Sequence, residues 1–129
     1  MTEIHKILHV EDDPDIREIA ALALADLGGF EVLQCKGGME AIEKASDFVP
    51  DLIVLDVMMP GMSGFETLAA LREQPGLSKT PAVFMTSKDI SSEHQSEIST
   101  TAIGAIQKPF DPVALPDQLR DMVANAQDT

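Results

Sequence analysis

Side chains that could carry out phosphoryl chemistry stand at the ends of short apolar runs in this sequence. They are three carboxylates, a hydroxyl and an ammonium group: Glu11, Asp12, Asp56, Thr86 and Lys108. Two like charges about 4 Å apart repel by on the order of 4 kcal/mol at an effective dielectric constant of about 20, so carboxylates held this close need a cation, or one of them must stay protonated. Mg²⁺ prefers oxygen ligands, and a lysine and a hydroxyl can contact phosphate oxygens. These residue types therefore predict a site for a divalent cation and a phosphoryl group.

The elements that must position these residues are strands alternating with helices. Apolar runs suited to strands cover residues 7–10, 30–35, 52–55, 81–85 and 105–107. Such alternation predicts an α/β fold, a doubly wound parallel sheet with helices on both faces. Ligands of these folds bind at the carboxyl ends of the strands. All five candidate residues would then meet at one edge of the sheet.

Helical periodicity fills the segments between the runs. Asp13 and Pro14 predict the start of the first helix, and Gly28 with Gly29 predicts its end. We expect further helices over residues 38–47 and 65–72, a short mobile helix over residues 91–101, and a last helix that begins at Pro116. The expected apolar positions on the first, second and last helices are Ile16, Ile19, Ala20, Ala23, Leu24 and Leu27; Met39, Ile42 and Ala45; and Leu119, Met122, Val123 and Ala126.

Composition restricts the function classes further. The 129 residues are enough for one domain and include 22 acidic and 9 basic side chains, which give a net charge of -13. This balance argues against binding to nucleic acid or to an anionic membrane surface. The single cysteine, Cys35, excludes an internal disulfide and a cysteine-based zinc site, and is best interpreted as a small strand hydrophobe. Without a signal peptide or a long apolar run, we expect a cytoplasmic protein.

Several of these residues have simpler interpretations when taken one at a time. Asp13 is best explained as a helix cap, and the three histidines, His5, His9 and His94, as packing or surface residues. A lone Asp after a strand is often only a cap, Thr86-Ser87 could be an ordinary turn, and Lys108-Pro109 is a common surface pair. Their joint occurrence, each at its own strand end, is what indicates a site.

At this point the sequence resembles the receiver domain of two-component response regulators, over almost its whole length from Lys6 to Ala126. Four signatures carry the resemblance, of which the second and fourth are specific: Val10-Glu11-Asp12-Asp13-Pro14, Leu55-Asp56-Val57-Met58-Met59-Pro60-Gly61-Met62-Ser63-Gly64, Met85-Thr86-Ser87 and Gly104-Ala105-Ile106-Gln107-Lys108-Pro109-Phe110. The resemblance implies a flavodoxin-like strand order 2-1-3-4-5 with five helices. It also implies a stand-alone, chemotaxis-type receiver over residues 1–129, with a core of about 6–126 and no output domain.

The resemblance also assigns roles to individual residues. It implies that Asp56 accepts a phosphoryl group from a phosphohistidine of a sensor histidine kinase or histidine phosphotransfer protein. Glu11 and Asp12 would bind Mg²⁺ together with Asp56 and the backbone carbonyl of Met58. Thr86 would supply the switch hydroxyl and Lys108 the phosphate-binding ammonium, with a cis peptide bond before Pro109. The face built from strand 4, the helix after it and strand 5 would contact an unknown downstream protein.

Departures from the family pattern leave alternatives open. Ala105 stands where the family usually has a Tyr or Phe that rotates in concert with the threonine, which favours, as one alternative, a degenerate receiver that acts as a phosphorylation-independent scaffold. A Mg²⁺-dependent aspartyl-phosphate phosphatase resembling the haloacid dehalogenases would need a second acid where Met58 stands. A flavin-binding module would need a phosphate loop in place of the acidic segment 11–13, and more aromatic residues.

Overall fold

Five parallel strands form one sheet in the order β2-β1-β3-β4-β5. The structure, a computed structural model, describes residues 3–127, so both ends of the predicted domain lie outside the described residues. The strands are β1 (Lys6–Val10), β2 (Glu31–Cys35), β3 (Leu52–Asp56), β4 (Ala82–Thr86) and β5 (Gly104–Gln107). Both the fold class and the strand order predicted above are confirmed.

Helices occupy the five crossover and terminal segments. They are α1 (Pro14–Ala21), which continues as a π-helical segment (Leu22–Leu27), α2 (Gly38–Phe48), α3 (Gly64–Arg72), α4 (Lys88–Glu93), α5 (Gln95–Thr101) and α6 (Leu115–Gln127). The pair α4 and α5 is one helical region interrupted at His94, so the helical regions number five within the described chain. Among the described residues, no helix combines the length and apolar character needed to cross a bilayer.

Two apolar cores cover the two faces of the sheet. Leu8, Ile53 and Phe84 belong to one core, and Ile7 and Val54 belong to the other. Every residue of β3 and β4 is buried, because these central strands are covered on both sides. Cys35 is also fully buried, as the sequence predicted. The central strands therefore form a rigid support for whatever lies at their carboxyl ends.

Most helix ends follow the sequence signals, but the helix predicted over residues 91–101 begins earlier, at Lys88, because the Ser87 side chain caps it. The Asp13 carboxylate accepts hydrogen bonds from the backbone N–H groups of Asp15 and Ile16, and Pro14 occupies the first position of α1. Gly28 caps the π-helical segment, and Gly29 follows it with a φ of 77°. The last helix begins at Leu115, one residue before the predicted Pro116, because proline fits the first turn of a helix.

The predicted apolar faces of the helices need correction at four positions. Ile19 and Leu27, expected against the sheet, are 45% and 56% exposed, and Met39 is 65% exposed. Ala126 is exposed as well. In α2 the buried residues are Gly38, Ala41 and Ala45. The helix turns its small residues inward, because Thr67 of α3 and Met62 of the loop before α3 lie so close that a methyl group on Gly38 would overlap with both.

Candidate functional site

The strand register brings the predicted site residues to one edge of the sheet. Glu11 directly follows β1, Asp56 ends β3, Thr86 ends β4 and Lys108 directly follows β5. Val10 is paired with Leu55, Asp56 with Met85, and Thr86 with Gln107. Because all five strands are parallel, these four ends lie side by side at the carboxyl edge.

Three carboxylates form a tight acidic cluster at this edge. One oxygen from each of Glu11, Asp12 and Asp56 lies within 4.8 Å of the other two. Glu11 is 1% exposed and Asp56 is 8% exposed, whereas Asp12 is open to solvent. The cluster therefore consists of two buried acids with one solvent-facing acid beside them.

Lys108 joins the two buried acids. Its Nζ lies 2.8 Å from Glu11 Oε1 and 2.9 Å from Asp56 Oδ2. Burial acts to lower the pKa of Lys108, but the hydrogen bonds to Glu11 and Asp56 and their negative charges raise it overall. Lys108 therefore stays charged and places its ammonium beside the oxygens of Asp56.

One lysine does not balance the cluster. Burial raises the pKa of Glu11 from 4.5 to about 7, and the charge of Asp56 adds to the rise although the hydrogen bond from Lys108 opposes it. Three carboxylates with one lysine among them leave an excess of negative charge at this edge. Three clustered carboxylate oxygens are the donor set that a hard divalent cation prefers, so the residues fit Mg²⁺.

The backbone of Met58 also lies at the cluster. Its N–H donates to Asp56 Oδ1 at 3.4 Å, while its side chain is 56% exposed. The structure thus places Met58 beside Asp56 through its main chain, and its thioether takes no part in the cluster.

Thr86 is buried at the end of β4 with its hydroxyl engaged by its own turn. Its Oγ1 donates to the backbone carbonyl of Ser87 at 3.2 Å. The backbone N–H of Lys108 donates to the carbonyl of Thr86 at 2.9 Å, so the two residues are joined through the main chain. The Lys108–Pro109 peptide bond is cis, as the resemblance implied.

The segment after Asp56 closes tightly on the strand that carries it. The N–H of Gly64 donates to the carbonyl of Val57 at 2.8 Å, and a methyl group on Gly64 would overlap with the carbonyl oxygen of Asp56. Ser63 and Glu66 cap α3 reciprocally, since each side chain accepts from the other residue's backbone N–H. The backbone that follows Asp56 is therefore fixed.

Sequence reasoning missed the polar contacts behind the acidic segment. Arg17, Gln34 and His9 form a connected set of hydrogen bonds there, and none of the three was a candidate. Arg17 and Gln34 bond mainly to backbone carbonyls, which carry no sequence signature. These hydrogen bonds could have been anticipated only by placing the three residues on a known fold.

Comparisons with known proteins agree with this geometry. The family model for the response regulator receiver domain matches residues 7–120. The response regulator Rre1 of Synechocystis sp. is 32% identical over 127 residues, which cover 98% of this chain and 55% of that protein. PhoB, the phosphate regulon transcriptional regulatory protein of Pseudomonas aeruginosa, is 36% identical over 88% of this chain and 49% of its own length. The chain spans about half the length of the curated relatives it matches.

Solved structures give the same result. The chemotaxis response regulator CheY4 of Vibrio cholerae is 34% identical with a TM-score of 0.82, and the match covers 93% of this chain and 99% of that one. The signal receiver domain of a signal transduction histidine kinase from Syntrophus aciditrophicus is 29% identical with a TM-score of 0.79, over 97% of this chain and 94% of that one.

Proposed function

Because this chain belongs to the response regulator receiver domain family of two-component signalling, we propose that it is a phosphoacceptor module with Asp56 as the acceptor. Receiver domains are signalling modules that interact with histidine kinases or phosphotransfer proteins. The donor we propose here is a phosphohistidine on such a protein. An Asp56 oxygen forms the new bond to phosphorus as the phosphorus–nitrogen bond breaks, and the electron pair of that bond returns to the imidazole.

The ammonium of Lys108 is the observation that carries this proposal. It lies within 2.9 Å of Asp56 Oδ2 and 2.8 Å of Glu11 Oε1, at the carboxyl edge of a parallel sheet. A phosphoryl group on Asp56 would bring further negative charge to a position that already has a fixed cation beside it. Stabilising that charge with pre-placed cations is the main contribution a protein makes to phosphoryl transfer.

The acidic cluster supports a role for Mg²⁺ in the same reaction. Glu11, Asp12 and Asp56, with the backbone carbonyl of Met58, would hold the ion. Bound there, Mg²⁺ supplies positive charge to the phosphoryl oxygens. Asp56 would supply the attacking carboxylate oxygen, and Lys108 would neutralise negative charge on the phosphoryl group. The hydroxyl of Thr86 lies at the end of β4, the strand next to the one that ends in Asp56.

Signal output is proposed to run through the segment after Thr86. The backbone carbonyl of Thr86 accepts a hydrogen bond from the backbone N–H of Lys108. The two short helices α4 and α5 follow Thr86 and are separated at His94. A change in the position of the Thr86 hydroxyl would therefore act on the two short helices that follow it. We propose that a partner protein binds to this segment. Ala105, half-buried in β5 opposite Phe84, offers no aromatic ring to move with Thr86.

Intact mass after treatment with acetyl phosphate and Mg²⁺ tests the acceptor. We expect the wild type to gain one phosphoryl group, and Asp56→Asn or excess EDTA to abolish the gain. Asp47→Asn, a change at an exposed carboxylate on α2, serves as the matched control and is expected to label like the wild type. Labelling that persists in Asp56→Asn would overturn the proposal.

A phosphorylation-independent scaffold is the second candidate, and Ala105 is the observation that favours it. It predicts that a wild-type protein labelled on Asp56 binds its partners no differently from the unlabelled protein. The intact set of Glu11, Asp12, Asp56 and Lys108 favours the phosphoacceptor instead, since a scaffold has no need for two buried acids joined by a lysine.

A further inference from the structure

The side chain of Arg17 reaches back from α1 to the segment that carries the two leading acids. Its Nη1 donates to the backbone carbonyl of Glu11 at 2.8 Å and to the carbonyl of Asp12 at 3.0 Å. One guanidinium nitrogen thus holds two successive peptide groups. Hydrogen bonds from a charged donor are roughly twice as strong as neutral ones, so this contact constrains the backbone of both acids.

Arg17 is itself tied to the sheet. The side-chain amide of Gln34, in β2, donates to the backbone carbonyl of Arg17 at 2.8 Å and lies 3.0 Å from Nδ1 of His9, in β1. His9 is completely buried. The amide therefore connects β1, β2 and the first turns of α1, and the arginine reaches the acidic segment from a fixed base.

We propose that Arg17 is a positioning residue that orients Glu11 and Asp12 for the divalent cation. The inference rests on the proposed function, since it assigns Arg17 to the cation site proposed there. The Arg17 guanidinium donates to the backbone carbonyls of the two acids, so it would act on the cation site through their backbone. The same contact leaves the Glu11 side chain free to reach Lys108.

The sign of the effect separates this role from simple electrostatics. Arg17 is a cation near a site for a cation, so Coulomb repulsion alone predicts that removing its charge strengthens Mg²⁺ binding. Loss of positioning predicts the opposite, because the ligands are no longer held in place. Partners that orient metal ligands typically change metal affinity by about 10-fold to 100-fold when they are removed.

Isothermal titration calorimetry with Mg²⁺ alone tests the proposal. We expect Arg17→Gln to weaken Mg²⁺ binding about tenfold. Arg17→Lys keeps the charge but not the planar donor group, and it should also weaken binding. Arg120→Gln is the matched control, since Arg120 likewise donates to a backbone carbonyl, that of Gly28, near the amino ends of the strands. Its Mg²⁺ affinity should equal that of the wild type.

Acetyl phosphate labelling gives the second readout. Arg17→Gln should need about tenfold more Mg²⁺ for half-maximal labelling and should recover the wild-type rate at saturating Mg²⁺. Unchanged or tighter Mg²⁺ binding in folded Arg17→Gln would overturn the proposal; if that variant does not fold, Arg17→Lys decides it by the same criterion. If instead the wild type binds Mg²⁺ but Asp56 never labels, the proposed function fails while the inference about Arg17 still stands or falls on calorimetry.

Discussion

At the scale of single residues, the site combines three carboxylates with one lysine, so its negative charge exceeds its positive charge. Lys108 is shared between Glu11 and Asp56, and Glu11 still has its pKa raised to about 7. Breaking one partner out of a buried ion pair leaves an uncompensated charge, which costs far more than a surface pair contributes. Replacing Lys108 should therefore have the largest effect on how readily Asp56 accepts a phosphoryl group.

Replacing Lys108 should slow the reaction without removing the acceptor. We expect Lys108→Met to reduce the rate of labelling by acetyl phosphate about a hundredfold at saturating Mg²⁺, because a fixed cation is lost where charge develops. Time-resolved intact mass measures the rate. Lys36→Met, at an exposed position after β2, is the control, and equal rates in the two variants would contradict the role given to Lys108.

Cys35 offers an independent residue-scale test of the fold. It is fully buried, and burial raises the pKa of its thiol to about 11. With that pKa, only about one buried thiol in a thousand would be ionised at pH 8. We expect a disulfide reagent such as DTNB to label the folded chain at pH 8 more than a hundredfold more slowly than the urea-unfolded chain. Rapid labelling of the folded chain would show that β2 is not packed as described.

At the scale of elements, local chemistry made most helix boundaries predictable, whereas packing decided which predicted face positions are exposed. Asp13 with Pro14 marked the start of α1 correctly, because capping depends only on neighbouring residues. The exposure of Met39 was not predictable in this way. It depends on how close α3 approaches α2, and only a small residue such as Gly38 fits at that contact.

Part of the candidate site could likewise be predicted from the sequence, and part could not. The convergence of Glu11, Asp56 and Lys108 followed from the parallel topology, because residues that end neighbouring parallel strands meet. Side-chain conformation decides which carboxylate oxygens Lys108 contacts. The contacts of Arg17 and Gln34 depend in addition on the positions of backbone carbonyl groups. A sequence shows neither.

Gly64 gives an element-scale prediction. A methyl group there would overlap with the carbonyl of Asp56, so we expect Gly64→Ala to lower the free energy of unfolding by about 1–3 kcal/mol. Urea denaturation measures this change. At Gly37 the φ of -171° is extended and the space is open, so Gly37→Ala should stay within about 1 kcal/mol of the wild type. Equal losses in the two variants would contradict the tight closure after Asp56.

At the scale of the whole molecule, the chain carries a net charge of -13, and part of that charge is concentrated at one edge of the sheet. A bound divalent cation should therefore stabilise the fold in addition to assisting chemistry. Like charge concentrated in the folded state opposes compaction, and neutralising it relieves that repulsion.

Mg²⁺ binding should consequently raise the stability of the fold in a way that depends on the acidic cluster. At a concentration a hundredfold above its Kd, Mg²⁺ should add about 2.7 kcal/mol to the free energy of unfolding, and EDTA should remove the gain. Urea denaturation at matched ionic strength measures it, with NaCl as the control for general screening. If NaCl stabilises the wild type as much as Mg²⁺ does, or if Asp12→Asn responds like the wild type, the cation site is wrong.

The position of the phosphoryl group is the most direct test of the central claim, that Asp56 is the acceptor. The wild type would be labelled with acetyl phosphate and Mg²⁺, reduced with borohydride to trap any aspartyl phosphate, digested, and sequenced by mass spectrometry. The account predicts one trapped site, at Asp56. Trapping at Asp12 or at another carboxylate in place of Asp56 would contradict it.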